Sequence, residues 1–254
     1  MQEKQFFFII ILNYLLTRSY KMNEERLSKV IANAGVASRR GAEELIFDGK
    51  VTVNGTITLV PQTKVNPEKD KITVEGEPVS RASNTIYILL NKPKGYVCSC
   101  SREFDSKIIL DLLPEIKTRI FPVGRLDKAT TGLILLTNDG NFANKAIHPR
   151  SNIEKEYLAS TNMFLTDTHL KQISRGVTID GKKVVPVKVQ KVRKNKVKII
   201  VKEGKKHEVR LMIKSAGLKT QSLKRIRIGG LSLGNLPEGQ YKKVSRDFLD
   251  AIFN

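Results

Sequence analysis

The chain has no tryptophan, two cysteines and three histidines in 254 residues. Cys98 and Cys100 cannot build a disulfide framework, and no second Cys/His pair stands at zinc spacing. No metal site is expected. Two residues apart, the cysteines should share one face of a strand, as free thiols in a reducing cytoplasm. His148 precedes Pro149 and reads as structural, closing a helix over 141–147. No apolar run approaches the ~18–20 residues that span a bilayer. Acidic residues are scarce as well: 25 Asp and Glu stand against 45 Lys and Arg, a net charge of +20. An imbalance of that size points to nucleic acid or an anionic membrane surface as partner.

Residues 1–21 hold an apolar run, 6–16, interrupted by Asn13 and Tyr14 and flanked by Lys4 and Arg18. It has the length of a signal-peptide core, yet no small-x-small cleavage site follows. Met22 opens a segment suited to a helix start. Residues 1–21 are therefore read as an extension, either an untranslated part of the reading frame or a tail that touches a membrane.

Residues 22–83 read as a small basic module. Leu27, Val30, Ile31 and Ala34 have helical spacing over 24–34, and Gly35 follows as a stop. Ser38 is placed to cap a second helix, with Leu45, Ile46 and Phe47 as its apolar face and Gly49 at its end. Asn54-Gly55 between alternating residues predicts a hairpin. Arg39 and Arg40 at the head of the second helix, with its free N–H groups, favour phosphate. A helical hairpin with a solvated charged face explains the same pattern, and charge alone does not choose. Turn residues over 60–84 place a domain boundary near Ser83.

The stretch that organises the rest is 124–140, G-R-L-D-K-A-T-T-G-L-I-L-L-T-N-D-G. Leu133 to Leu136 lie between Gly132 and an Asn138-Asp139-Gly140 turn signal, as a buried strand does. Asp127 is thus held on a loop anchored directly to the core, as a fixed reactive group requires. A turn-capping role, or a pairing with Arg125, fits the loop equally well.

As a whole the stretch resembles the catalytic signature of the pseudouridine synthases in the ribosomal-RNA branch that includes RsuA and RluB. The resemblance implies that Asp127 is the nucleophile. The stretch E-R-L-S-K-V-I-A-N-A-G-V-A-S-R-R-G-A-E-E-L-I-F-D-G-K-V-T-V-N-G resembles the alpha-L RNA-binding motif named after a ribosomal small-subunit protein. It implies RNA contacts at Arg26, Lys29, Ser38, Arg39, Arg40 and Lys50, and its form is closer to the large-subunit branch. The N-K-P-K-G turn, with Lys92 and Lys94, is similar to a segment beside the family's active site, which adds Lys92 to the RNA contacts. Without the family it is a Pro-Gly turn. Lys155 and Tyr157 resemble the second motif, where the ring stacks on a flipped-out base. A strand tyrosine is otherwise most often a core residue. E-G-K-K-H-E-V-R resembles the third motif, with Arg210 at the position that pairs with the catalytic carboxylate. Glu208 stands where Gln is usual, which bears on local RNA contacts.

Residues 182–227 carry seventeen Lys and Arg against Glu203 and Glu208. Strands expected over 184–192 and 197–202 would lift these charges onto one face. So one-sided a run repels itself unless an anion offsets it.

The expected fold is α+β: a two-helix-plus-hairpin RNA-binding module, then a synthase domain (84–254) on a mixed, largely antiparallel sheet. The resemblance implies isomerisation of uridine to pseudouridine in ribosomal RNA, with 23S favoured, by a cytoplasmic monomer acting on ribosomal RNA or a pre-ribosomal particle. Breaking a bond from ribose to nitrogen and rejoining through carbon requires no cofactor. Arg125 would grip phosphate or fill the space left by the base. The competing reading is a non-catalytic RNA-binding factor for ribosome assembly. Keeping Asp127, Tyr157 and Arg210 together argues against it.

Overall fold

The computed structural model describes residues 23–80 and 84–253. The extension at 1–21 and the boundary expected at Ser83 lie outside the described residues. The chain divides into two units between Asn84 and Thr85.

In the first unit, strand β1 (Glu25–Arg26) leads straight into helix α1 (Leu27–Asn33), followed by α2 (Arg39–Phe47). Then come β2 (Val51–Val53), β3 (Thr56–Ile57), β4 (Lys64–Val65), β5 (Ile72–Val74) and β6 (Glu77–Pro78). β1 pairs with β4, and the others form a sheet in the order β3-β2-β5-β6. The first helix is shorter than its spacing predicted because Glu25 and Arg26 are drawn into pairing with Val65 and Lys64. Ser38 caps α2 as expected, its Oγ accepting the Gly41 N–H at 2.9 Å. The Asn54-Gly55 turn forms with both residues at positive φ (52° and 83°), the backbone that Asn-Gly adopts at little cost. Leu27, Ile31, Ala42, Ile46 and Val51 make the core. Phe47 departs from expectation and is 64% exposed. Ala42 and Ile46 are four residues apart on the buried face, and the next position turns away by about 100°.

The second unit is built on a nine-stranded sheet. Its strands are β7 (Tyr87–Lys92), β8 (Phe121–Val123), β9 (Thr131–Thr137) and β10 (Lys155–Thr161). After the β11 (Val177–Ile179) and β12 (Lys182–Val184) hairpin come β13 (Lys188–Arg193), β14 (Lys196–Val201), β15 (Thr220–Ile228), β16 (Leu231–Ser232) and β17 (Tyr241–Lys243). The order is β13-β14-β10-β15-β9-β7-β17, with β16 on β15 and β8 on β9. Among the described residues, only β15 and β9 of these strands pair in parallel. The sheet is thus mixed and largely antiparallel, as expected. The strand expected over 184–192 is interrupted because Pro186, between β12 and β13, has no N–H for a ladder. Cys98 is buried and Cys100 exposed, both as free thiols, but neither lies in a strand.

Four helices cover the sheet: α3 (Gly140–Ile147), α4 (Asp167–Ser174), α5 (Glu208–Ser215) and α6 (Arg246–Asp250). Ile173 of α4 and Met212 and Ile213 of α5 share a core with Ile134, Leu136, Tyr157 and Ile199. Phe142 of α3 and Leu249 of α6 share another with Leu89, Leu133, Leu135 and Ile228. β9 is therefore buried on both faces, which is why its apolar run is continuous rather than alternating. No helix among the described residues is long and apolar enough to cross a membrane.

Gly132 holds the parallel pair together. It lies at φ +107°, opposite Arg225, and a Cβ there would stand 2.2 Å from the Arg225 carbonyl oxygen. Gly132→Ala should therefore destabilise the protein by about 3 kcal/mol or more, read as a fall in the urea midpoint, whereas Gly181→Ala, with open space around it, should cost much less.

Candidate active site

Asp127 sits in the loop from β8 into β9. The Thr130 N–H bonds back to the Asp127 carbonyl at 3.0 Å, closing a turn beneath the side chain. Three parts of the domain grip this loop. From the end of β7, Lys92 donates through Nζ to the carbonyls of Thr130 (2.8 Å) and Pro93 (2.9 Å), with that of Lys128 at 3.5 Å. The segment after β7 offers the Gly95 N–H to the Lys128 carbonyl (2.8 Å), and the Cys98 Sγ accepts the Leu126 N–H (3.3 Å). From α5, Arg210 donates to the Ala129 carbonyl and to Thr130 Oγ1, both at 3.2 Å.

This corrects two expectations. Lys92 is not an RNA contact: it is 0% exposed, and its ammonium is spent on the loop. Burial pushes it below its ordinary value, against the pull of Cys98, Glu238 and Asp127. Arg210 grips the backbone of the Asp127 loop rather than the carboxylate. The carboxylate's partner is His207, with Nε2 3.4 Å from Oδ1. His207 caps α5 in the left-handed conformation, φ 57°. It was not singled out from the sequence.

Tyr157 lies behind the loop. The registers join Val189, Ile199, Tyr157, Arg225 and Gly132 into one row across five strands. Tyr157 is 8% exposed. Burial raises its phenol, and the adjacent Arg225 guanidinium acts against this. Arg225, also missed from the sequence, is 4% exposed. Its Nε donates to the Leu133 carbonyl at 2.8 Å, while its Nη2 has no partner among the described residues. A spare buried donor beside an aromatic ring suits a pyrimidine carbonyl. Lys155 was expected to touch substrate, but its ammonium is engaged by the carbonyls of Ile153 (3.0 Å) and Lys202 (2.8 Å). Arg125 is exposed on the loop.

Glu208 turns inward instead of meeting RNA. It is 4% exposed and accepts the Lys205 N–H at 3.2 Å, closing the turn that presents His207. Burial raises its carboxyl from 4.5 to about 7, opposed by the Lys205 N–H and Lys155.

In the first unit, Arg26, Arg39 and Arg40 are exposed. Lys29 pairs with Glu25 at 3.1 Å, and Lys50 with Glu75 at 3.2 Å. Ser38 serves as the cap already described. No group of three or more His, Cys, Asp or Glu among the described residues could hold a metal ion.

Known proteins share this organisation. Residues 25–72 match the S4 domain, and residues 86–215 match the RNA pseudouridylate synthase family. A Bacillus subtilis protein named ribosomal large subunit pseudouridine synthase B is 39% identical over 227 residues, covering 87% of this chain and 92% of that one. A chloroplastic Arabidopsis thaliana protein, provisionally named a ribosomal large subunit pseudouridine synthase, is 44% identical over 254 residues. That match covers 92% of this chain and 62% of the longer plant protein. The crystal structure of a pseudouridylate synthase superposes with a TM-score of 0.64 at 29% identity, covering 89% of this chain and 99% of that one. The class is an RNA-modifying isomerase with an S4 module. The chain belongs to the RNA pseudouridylate synthase family.

Two predictions arise here. Lys92→Met should lower the single-turnover rate by about 100-fold, the scale set by misplacing a reacting group by ~1 Å, while leaving RNA affinity unchanged; a loss of affinity with normal rate would restore Lys92 as an RNA contact. Glu208 holds its proton more tightly folded than unfolded, so its contribution is present below pH 4.5 and lost as pH rises through about 7. Urea unfolding at pH 5 and pH 8 should show Glu208→Gln gaining on the wild type at the higher pH, by up to about 3 kcal/mol.

Proposed function

We propose that this protein isomerises uridine to pseudouridine in ribosomal RNA, with Asp127 as the nucleophile and the large-subunit RNA as substrate. The observation that carries this reading is the Asp127 loop itself. Three separate elements hold its backbone while its carboxylate stays half-exposed, 35% by side chain. A loop clamped at its carbonyls holds a nucleophile in an attacking geometry without consuming the nucleophile's own oxygens.

The reaction breaks the bond from ribose C1′ to the ring nitrogen, turns the base and rejoins it through carbon, so no electrons enter or leave. The base must first leave the RNA stack, which costs about a few kcal/mol. Tyr157 supplies a replacement face, and the Nη2 donor of Arg225 reaches toward a base carbonyl. Arg125 grips phosphate or fills the vacated stack. His207 stands beside the carboxylate, with Nε2 3.4 Å from Oδ1. Arg26, Lys29, Arg39, Arg40 and Lys50 of the S4 module hold RNA by its phosphates, with the Ser38-capped N-terminus of α2 behind Arg39 and Arg40. The name of the Bacillus subtilis relative supports the large subunit as target. We place the protein in the cytoplasm, as a monomer meeting ribosomal RNA free or in a pre-ribosomal particle.

The test is pseudouridine mapping of ribosomal RNA from cells lacking the protein, complemented with wild type or Asp127→Asn. One 23S position should lose its mark, and only the wild type should restore it. If no mark changes while the protein still binds ribosomal RNA, it is a non-catalytic assembly factor instead.

A further inference from the structure

The registers that build the catalytic row also build the row next to it. Gln190, Lys198, Leu158, Lys224 and Thr131 lie side by side across the same five strands. Each is one residue away from its counterpart in the catalytic row, so this row points to the opposite face of the sheet. None of its members is buried, whereas Ile199, Tyr157, Arg225 and Gly132 all are. The helices explain the difference. α4 and α5 cover the Tyr157 face, while α3 and α6 cover the other face around β7, β9 and the Ile228 end of β15. The half of the sheet made by β13, β14 and β10 therefore has an open face.

Charge on this face is divided unevenly. At one end Glu156 takes Lys198 (3.0 Å) and Arg227 (2.9 Å), and Glu154 takes Arg227 again (3.1 Å), so that end is neutralised. At the other end Arg193 stands directly opposite Lys196 in the β13–β14 register. Like charges directly opposite destabilise a sheet. Among the described residues, neither these two nor Lys224 has an acidic group within 4.0 Å. Ser160 and Ser222, hydrogen-bonded to each other, continue the row beyond Lys196. Beside this end, Lys194 in the β13–β14 turn lies 5.6 Å from the ring of Phe164, which is 68% exposed. Two backbone bonds, Leu165 N–H to Lys194 carbonyl (2.7 Å) and Thr161 N–H to Asn195 carbonyl (3.0 Å), fix that ring's loop to the turn. Cations without counter-ions, hydroxyls and a fixed exposed ring are the parts from which single-stranded RNA sites are made.

We infer that this end of the open face, formed by Arg193, Lys196, Lys224 and Phe164, is a second RNA-contacting surface. It grips the backbone of the substrate RNA and stacks an unpaired base outside the catalytic row. Along β10 the row through Lys196 and Ser160 lies about 10 Å from Tyr157, a span of a few nucleotides. The inference rests on the reading that the substrate is RNA.

The test uses the full chain and transcribed 23S RNA, with dissociation constants measured across a salt series. Arg193→Ser/Lys196→Ser/Lys224→Ser should bind about tenfold more weakly, with a log–log salt slope shallower by about 2. Phe164→Ala should weaken binding about tenfold without changing the slope, and Phe164→Tyr should restore it. Both losses should appear in KM, with kcat unchanged. Circular dichroism checks that each variant is folded. Unchanged affinity and slope in the folded triple variant would overturn the inference, as would an equal loss in Phe164→Ala and Phe164→Tyr. Asp127→Asn on the same RNA separates the two readings: if it still forms pseudouridine, the nucleophile assignment fails while the binding comparison stands.

Discussion

The catalytic unit depends on one close approach, the backbone of Gly132 against that of Arg225. Among the described residues it is the only parallel strand pairing in a sheet otherwise antiparallel, and it joins the half containing β7, β8, β9 and β17 to the half containing β10, β13, β14 and β15. The two halves have their helices on opposite faces. Their junction is consequently the place where a loop from one half can meet side chains from the other. Asp127 comes from the first half; Tyr157, Arg225, His207 and Arg210 come from the second. A side chain at position 132 would drive the halves apart.

The positive charge, so prominent in the composition, serves two physical ends. Lys92, Lys155 and Arg225 are cations drawn inward and spent on backbone carbonyls. Burying such groups is costly unless they find acceptors; Lys92 finds them in the Asp127 loop, and Lys155 and Arg225 find them in strand backbone and strand ends. The exposed cations act outward. Arg26, Arg39 and Arg40 on the S4 module, and Arg193 beside the half-buried Lys196 on the open sheet face, stand where phosphate can neutralise them.

Short-range chemistry was legible without coordinates. Asn54-Gly55 specified its hairpin because few residues accept positive φ so readily, and Ser38 specified its cap because a hydroxyl satisfies a free helix N–H. The run from Leu133 to Leu136 announced a buried strand. The motif around Asp127 identified the family, and order along the chain was enough to associate it with Tyr157 and Arg210.

What each cation does was decided only by tertiary structure. Lys92 and Lys94 flank the same proline, yet one is fully buried and the other exposed. The difference lies in where β7 ends relative to a loop some 35 residues further along. The division of labour between His207 and Arg210 depends on how α5 meets the loop at residues 127–130, a packing angle that no local pattern encodes. The sequence by itself determined the turns, caps, buried strands and family motif, because those follow from nearest-neighbour sterics and hydrophobic period. Strand register and helix placement decided which charges turn inward to hold the Asp127 loop and which lie on the open face of the sheet.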